Sequence, residues 1–299
     1  MLSFEELYDP PFMEALQKFQ LRALQVPRGG RYAEQVSKAM GQGLEFRDFK
    51  PYNAGDDLRA IDWNIYRRLG RVFVKLFQEQ RNLPIYLMPD ISQSMFVEKQ
   101  PRIKAALKSA LAFAAIGLSQ HDNITLMAFS DDIHHPIKAK AGKAGLIGFA
   151  RRLAELTAGS TTNLPVALKK FSGMAVRRGL LVVVSDFFDE NGIDEVIKSL
   201  SSCRHELLLV QLVRDSDSIP DQLGDVRLID CESSKAIEMS VTPEIIEQYK
   251  KAYSTFSDKL SNFAASRGCV LLRLNSDKDV LSQLSPLFQT SGRPGSMQV

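Results

Sequence analysis

Apolar runs alternate with amphipathic helical patterns from about residue 83 onward. The run Pro84–Asp90 has the character of a buried strand, residues 102–120 form an alanine-rich helical pattern, and the β-branched run at 179–186 is typical of a central parallel strand. Further strands are predicted at 123–129, 133–138, 206–213 and 269–274, and further helices at 145–156, 164–174, 193–200 and 243–265. Strands that alternate with helices of about ten or more residues form a parallel sheet covered on both faces. The pattern therefore predicts an α/β fold with a doubly wound, mostly parallel sheet.

The first 82 residues show a different pattern of apolar positions. A helix is predicted after Asp9-Pro10-Pro11, and short β-like runs follow at 44–49 and 71–77. We therefore expect three regions: a small N-terminal helix-plus-β appendage at 1–82, which carries the string Gly55-Asp-Asp-Leu-Arg-Ala-Ile-Asp-Trp63, the α/β domain at 83–290, and a disordered tail at 291–299.

Composition and charge exclude several classes of protein. The net charge of +3 is too balanced to indicate nucleic-acid binding, and no apolar stretch reaches the roughly 20 residues that cross a bilayer. The three cysteines are far apart and lack clustered histidines, which argues against a zinc site and against an oxidised secreted scaffold. No secretory signal is visible at the first residues. We therefore expect a cytoplasmic protein with no membrane span and no nucleic-acid partner.

Hydroxyl and carboxylate side chains follow the predicted strands at three loops. Asp90, Ser92 and Ser94 come after the first strand, Thr162 lies in a later loop, and Asp186 ends the strongest strand. Ligands of a doubly wound sheet gather at the carboxyl ends of its strands, so these groups can converge. Their oxygens are the ligands that Mg²⁺ or Mn²⁺ prefers. The alternative is that the hydroxyls cap the helices that follow their loops.

The acidic string upstream allows two interpretations. Asp56, Asp57, Arg59, Asp62 and Trp63 could form a second acidic site or a partner surface, or they could form buried ion pairs between the appendage and the α/β domain. The structural interpretation is favoured, with Trp63 as a packing anchor.

Two resemblances give the loops a more specific meaning. Asp90-x-Ser92-x-Ser94, followed by Thr162 and Asp186, resembles the metal-ion-dependent adhesion site of von Willebrand factor A domains. That resemblance implies that Asp90, Ser92, Ser94 and Thr162 lie at or near the metal and that Asp186 acts through a water. The segment from Gly43 to Asn64, followed by Val74-Lys75, resembles the bacterial family called domain of unknown function 58.

These resemblances imply a non-enzymatic interaction module. Members of the bacterial family resemble von Willebrand A proteins that are associated with MoxR-type AAA+ ATPases, which implies an adaptor that binds such an ATPase or its client. The partner's carboxylate would bind through Mg²⁺. The alternative is a Mg²⁺-dependent, phosphatase-like hydrolase in which Asp90 attacks phosphorus. The three loops contain no histidine that could serve as its general base.

Overall fold

The computed structural model describes residues 4–25, 45–52, 61–78, 83–97, 101–140, 142–218, 224–232 and 235–288. The tail predicted at 291–299 and three members of the acidic string, Asp56, Asp57 and Arg59, lie outside these residues. Within them, the α-helices are α1 (Phe4–Leu7), α2 (Pro10–Gln25), α3 (Trp63–Leu69), α4 (Ser94–Val97), α5 (Arg102–Ser119), α6 (Lys143–Ala154), α7 (Leu164–Gly173), α8 (Gly192–Ser202), α9 (Asp215–Ser218), α10 (Pro243–Arg267) and α11 (Val280–Leu284). The strands are β1 (Glu45–Pro51), β2 (Phe73–Gln78), β3 (Pro84–Pro89), β4 (Asn123–Leu126), β5 (Ile137–Lys138), β6 (Leu180–Ser185), β7 (Glu206–Val213), β8 (Gly224–Ile229), β9 (Ala236–Val241) and β10 (Val270–Asn275).

The central sheet of the described residues has six strands in the order β10-β7-β6-β3-β4-β5. All neighbours are parallel except β4 and β5, which pair antiparallel at one edge. The predicted α/β class with a mostly parallel sheet is confirmed. The apolar run predicted at 133–138 forms a regular strand only at 137–138.

The strand order contains one reversal. From β3 the chain crosses to β4 on one side, and it later returns to build β6, β7 and β10 on the other side. The strand order therefore switches between β3 and β6. Ligand crevices of open α/β sheets lie at such a switch point, outside the carboxyl ends of the strands.

Helix α5 packs against one face of the sheet and is buried over most of its length. Alanine and glycine let the helix approach the sheet closely, since a Cβ atom at Gly117 would lie 2.5 Å from Cδ1 of Ile124. The N-terminal helices α1 and α2 cover the outer side of α5, and their apolar side chains Leu7 and Leu16 are fully buried in the same core. The sequence groups these helices with the appendage, but in the structure they pack on the α/β core. The boundary predicted at residue 83 stays a prediction.

Two small antiparallel strand pairs of the described residues lie outside the central sheet. One pairs β1 with β2, which lie at the positions of the two predicted β-like runs. The other pairs β8 with β9 and was not predicted. Its strands alternate apolar and polar residues, but most of their side chains are exposed, so the segment lacks the apolar run of a core strand.

Candidate metal centre

The loop after β3 is fixed by backbone hydrogen bonds to both neighbouring strands. The amide of Asp90 donates to the carbonyl of Val184 at 2.8 Å, and the amide of Ile91 donates to the carbonyl of Phe129 at 2.8 Å. Asp90 therefore continues the sheet by one residue before the chain turns away. The fully buried Asp90 side chain lies at the switch point between β3 and β6.

Both carboxylate oxygens of Asp90 accept a hydrogen bond. Oδ1 accepts from the backbone amide of Ser92 at 2.9 Å, and Oδ2 accepts from the hydroxyl of Ser185 at 2.7 Å. Ser185 Oγ accepts in turn from the amide of Phe187 at 2.9 Å. Ser185 is not among the predicted site residues, yet its hydroxyl orients the central carboxylate.

Ser92 and Ser94 bring two hydroxyl oxygens together. Their Oγ atoms are 3.0 Å apart, at the start of the short helix α4. The loop that contains Thr162 lies against this turn, because Gly159 donates to the carbonyl of Ile91 at 2.7 Å. Position 159 also packs closely on Ser130, because a Cβ atom there would lie 2.4 Å from the Ser130 side chain. Glycine is therefore required at this position.

Asp186 follows Ser185 and is also buried. Its Oδ1 accepts from the amide of Phe188 at 3.1 Å, and its Oδ2 lies 4.0 Å from Nη1 of Arg102. Phe187, the residue after Asp186, has a φ of 63°. This is a left-handed backbone conformation that residues other than glycine rarely adopt. Burial of the Phe187 ring in the core holds this turn, which places Asp186 beside Asp90.

The two aspartates form an electrostatically unfavourable pair. Burial raises the pKa of the Asp90 carboxyl, against the hydrogen bonds from Ser185 and Ser92. Burial also raises the pKa of Asp186, and the charge of Asp90 raises it further, whereas Arg102 lowers it. The positive charge of Arg102 is shared between Asp186 and Asp217, because its guanidinium also binds both carboxylate oxygens of Asp217 at 2.9 and 2.5 Å. The buried negative charges therefore favour a cation between the loops.

Thr162 contacts a residue that the sequence analysis did not identify. Its hydroxyl donates to Oε1 of Glu232 at 2.9 Å, and its backbone amide donates to Oε2 at 2.9 Å. Glu232 follows β8 in the hairpin that was not predicted. The helix-cap interpretation of Thr162 is wrong, because Asn163 caps α7 through a bond from the amide of Val166.

Two oxygen pairs in these loops are hydrogen-bonded, and their distances are also compatible with neighbouring ligands on a small cation. Mg²⁺ binds oxygens at about 2.0–2.1 Å, so adjacent corners of its octahedron are about 2.9 Å apart. The Ser92–Ser94 and Thr162–Glu232 oxygen pairs are 3.0 and 2.9 Å apart. Across the described ranges, no three His, Cys, Asp or Glu side chains cluster as a metal site on their own. A cation here would therefore need the hydroxyls as well as the carboxylates.

Two members of the acidic string, Asp62 and Trp63, lie within the described residues. Asp62 caps α3, because its Oδ1 accepts from the amides of Asn64 and Ile65 at 2.8 and 3.2 Å. Trp63 is 61% exposed and contacts the ring of Tyr66 edge-on. The expectation that Trp63 is a buried packing anchor is therefore wrong.

The fold is an α/β fold with a mostly parallel sheet, and its oxygen-rich loops lie at the switch point of that sheet. Residues 48–258 match the family described as "Protein of unknown function DUF58", and the chain belongs to that family. An uncharacterised protein of Mycobacterium tuberculosis, Rv1480, is 25% identical over 98% of this chain and 93% of its own length.

Two solved structures are similar to this chain. One is an aerotolerance-related membrane protein from Bacteroides fragilis, with 14% identity, a TM-score of 0.39 and coverage of 70% of this chain and 98% of that chain. The other is BatB from Bacteroides thetaiotaomicron, with 11% identity, a TM-score of 0.37 and coverage of 69% and 98%. Among the helices of the described residues, none is long and apolar enough to cross a bilayer.

Proposed function

We propose that the chain is a metal-dependent protein-interaction module. In this proposal Asp90, Ser92, Ser94, Thr162 and Asp186 hold Mg²⁺ or Mn²⁺, directly or through water. A carboxylate of a partner protein completes the coordination sphere. The observation that carries the proposal is the convergence of three separate loops, rich in hydroxyl and carboxylate oxygens, at the switch point.

The partner follows from the resemblance to the family's relatives. We propose a MoxR-type AAA+ ATPase or its client as the protein that supplies the carboxylate. The module would then act as an adaptor, with the metal as the contact between two acidic surfaces that would otherwise repel each other.

The geometry supports binding better than hydrolysis. A phosphatase-like mechanism with Asp90 as the nucleophile would also need a general acid or base beside it. The three loops contain no histidine, and the hydrogen bonds from Ser92 and Ser185 hold both oxygens of Asp90 in one orientation. The same contacts suit a carboxylate that orients its neighbours around an ion.

The test of this function compares wild type with Asp90→Asn. Asparagine keeps Oδ1 as an acceptor for Ser92, and the hydroxyl of Ser185 can rotate to accept from its amide, so the variant is expected to fold. Asp258→Asn, an exposed change on α10, is the matched control. Free Mn²⁺ is titrated by electron paramagnetic resonance, and capture of the purified ATPase by the immobilised chain is measured in Mg²⁺ and in chelator.

We expect wild type and Asp258→Asn to bind Mn²⁺ and to capture the ATPase only when metal is present. Asp90→Asn should lose both activities because the central carboxylate is gone. Equal Mn²⁺ binding by all three proteins would refute the metal centre. Capture that persists in chelator would refute the metal-mediated contact.

A further inference from the structure

Glu232 lies at the candidate metal centre although it is about 70 residues from Thr162 along the chain. Both of its carboxylate oxygens accept hydrogen bonds from Thr162, and its charge raises the pKa of Asp90, which is already raised by burial. Glu232 therefore lies against the loop that contains Thr162.

The position of Glu232 is set by the hairpin that carries it. Strands β8 and β9 pair in a regular antiparallel register from Gly224 and Val241 to Ile229 and Ala236. The amide of Asp230 donates to the carbonyl of Lys235 at 2.9 Å, which extends the pairing. The amide of Glu232 donates to Oδ1 of Asp230 at 2.9 Å. These bonds hold the backbone of Glu232 to the end of β8.

The contact with Thr162 is a hydrogen bond in which the hydroxyl donates to Oε1 of Glu232, and its length is compatible with adjacent metal ligands. A cation bound to the Thr162 hydroxyl would have Oε1 of Glu232 as a neighbour at 2.9 Å, and adjacent oxygens on Mg²⁺ are about 2.9 Å apart. A carboxylate at this position is the same chemical group that the proposed partner supplies. Glu232 and an external carboxylate would therefore compete for one coordination position on the cation.

We propose that Glu232 is an internal ligand that occupies the place of the partner's carboxylate in the free protein. This inference rests on the proposed function, because it presumes a cation at the loops. A partner must displace Glu232 from Thr162 before its own carboxylate can bind. The hairpin then sets the threshold for binding, since the partner's affinity is lowered by the fraction of molecules in which Glu232 occupies the site.

Two opposite effects follow from removing this carboxylate. Metal affinity should fall, because the affinity of a site for a hard divalent cation rises with the number of charged ligands. Access for an external carboxylate should rise, because the coordination place becomes open. A residue that only supports the fold would not produce both effects together.

The experiment uses the full chain with Mn²⁺ as the metal and acetate labelled with ¹³C at its carboxyl group as the external ligand. Wild type is compared with Glu232→Gln, which keeps an acceptor oxygen for Thr162. Glu238→Gln, an exposed change on β9 of the same hairpin, is the matched control, and Asp90→Asn tests the metal centre itself. Mn²⁺ affinity is measured by titration, and the coupling of ¹³C to bound Mn²⁺ by electron–nuclear double resonance.

We expect Glu232→Gln to bind Mn²⁺ about tenfold more weakly than wild type and to show acetate coupling that wild type and Glu238→Gln lack. Equal Mn²⁺ affinity and equal acetate coupling in wild type and Glu232→Gln would overturn the inference. If Asp90→Asn alone then lost Mn²⁺, the proposed metal centre would still stand. If wild type bound no Mn²⁺, both proposals would be overturned.

Discussion

Asp122 is a buried carboxylate far from the candidate metal centre, at the opposite edge of the sheet. Asp122 lies between α5 and β4, and the residue is 7% exposed. Oδ1 accepts from the backbone amide of Leu83 at 2.9 Å, whereas Oδ2 is buried with no hydrogen-bond partner in the described residues. Burial raises the pKa of Asp122 to about 7, so its ionised form destabilises the fold at neutral pH.

The size of this effect follows from the pKa. The ordinary pKa of 3.8 rises to about 7, and each tenfold change in the proton-binding constant corresponds to about 1.4 kcal/mol. Ionised Asp122 therefore lowers the free energy of unfolding by about 4 kcal/mol above pH 7. Asp122→Asn keeps the acceptor for Leu83, but its buried amide group lacks a partner and costs about 1–3 kcal/mol. The expected net gain is about 1–3 kcal/mol at pH 8.

The sign of the pH dependence is fixed by proton uptake. Between about pH 4 and pH 7, folded wild type binds more protons at Asp122 than the unfolded chain does. The stability contributed by this group therefore falls as the pH rises through that window. Asp122→Asn does not titrate, so its advantage should be full at pH 8 and absent at pH 5.

Urea unfolding followed by circular dichroism at pH 5 and pH 8 measures this difference. Other titrating groups are common to both proteins and cancel when the two are compared at one pH. Asp258→Asn, on the exposed side of α10, should match wild type at both pH values. If Asp122→Asn and wild type differ in free energy of unfolding by the same amount at pH 5 and pH 8, the pKa of Asp122 is not raised by burial.

Two further predictions concern the loop contacts and the appendage. Gly159→Ala places a Cβ atom 2.4 Å from the side chain of Ser130 and should displace the loop of Thr162, lowering Mn²⁺ affinity several-fold in titration. Gly148→Ala, with open space around its Cβ position in α6, is the control and should leave Mn²⁺ affinity unchanged; a loss in both variants, or in neither, contradicts the contact. Asp62→Ala removes the N-cap of α3 and should lower the free energy of unfolding by about 1 kcal/mol in urea. Asp62→Asn, which keeps the acceptor oxygen, should restore most of this loss, and an equal loss in both variants would contradict a capping role.

The central sheet could be predicted because its signal is local and redundant. Each strand from β3 to β10 of that sheet is a short apolar run, and each is separated from the next by a helical pattern or a turn. The topology of such a sheet places the ends of β3 and β6 side by side. Asp90 and Asp186 could therefore be expected at one edge from their order along the chain.

The contacts that orient these side chains were less predictable. Ser185 is a strand residue by pattern, and only the register between β3 and β6 places its hydroxyl against Asp90. Arg102 opens a helix by pattern, and only the tertiary fold brings it between Asp186 and Asp217. In both cases the chemical role depends on a partner that is distant in sequence.

The contact between Glu232 and Thr162 could not be predicted from the sequence. The alternation of Val226, Leu228, Ile237 and Met239 indicates a hairpin, and a turn rich in acidic and serine residues separates its strands. No periodicity indicates which part of the molecule that turn contacts, because the hairpin lies outside the central sheet and its register is independent of the sheet. The motif contains Asp90 and Asp186, but it does not contain Glu232, the residue that we propose an external carboxylate replaces.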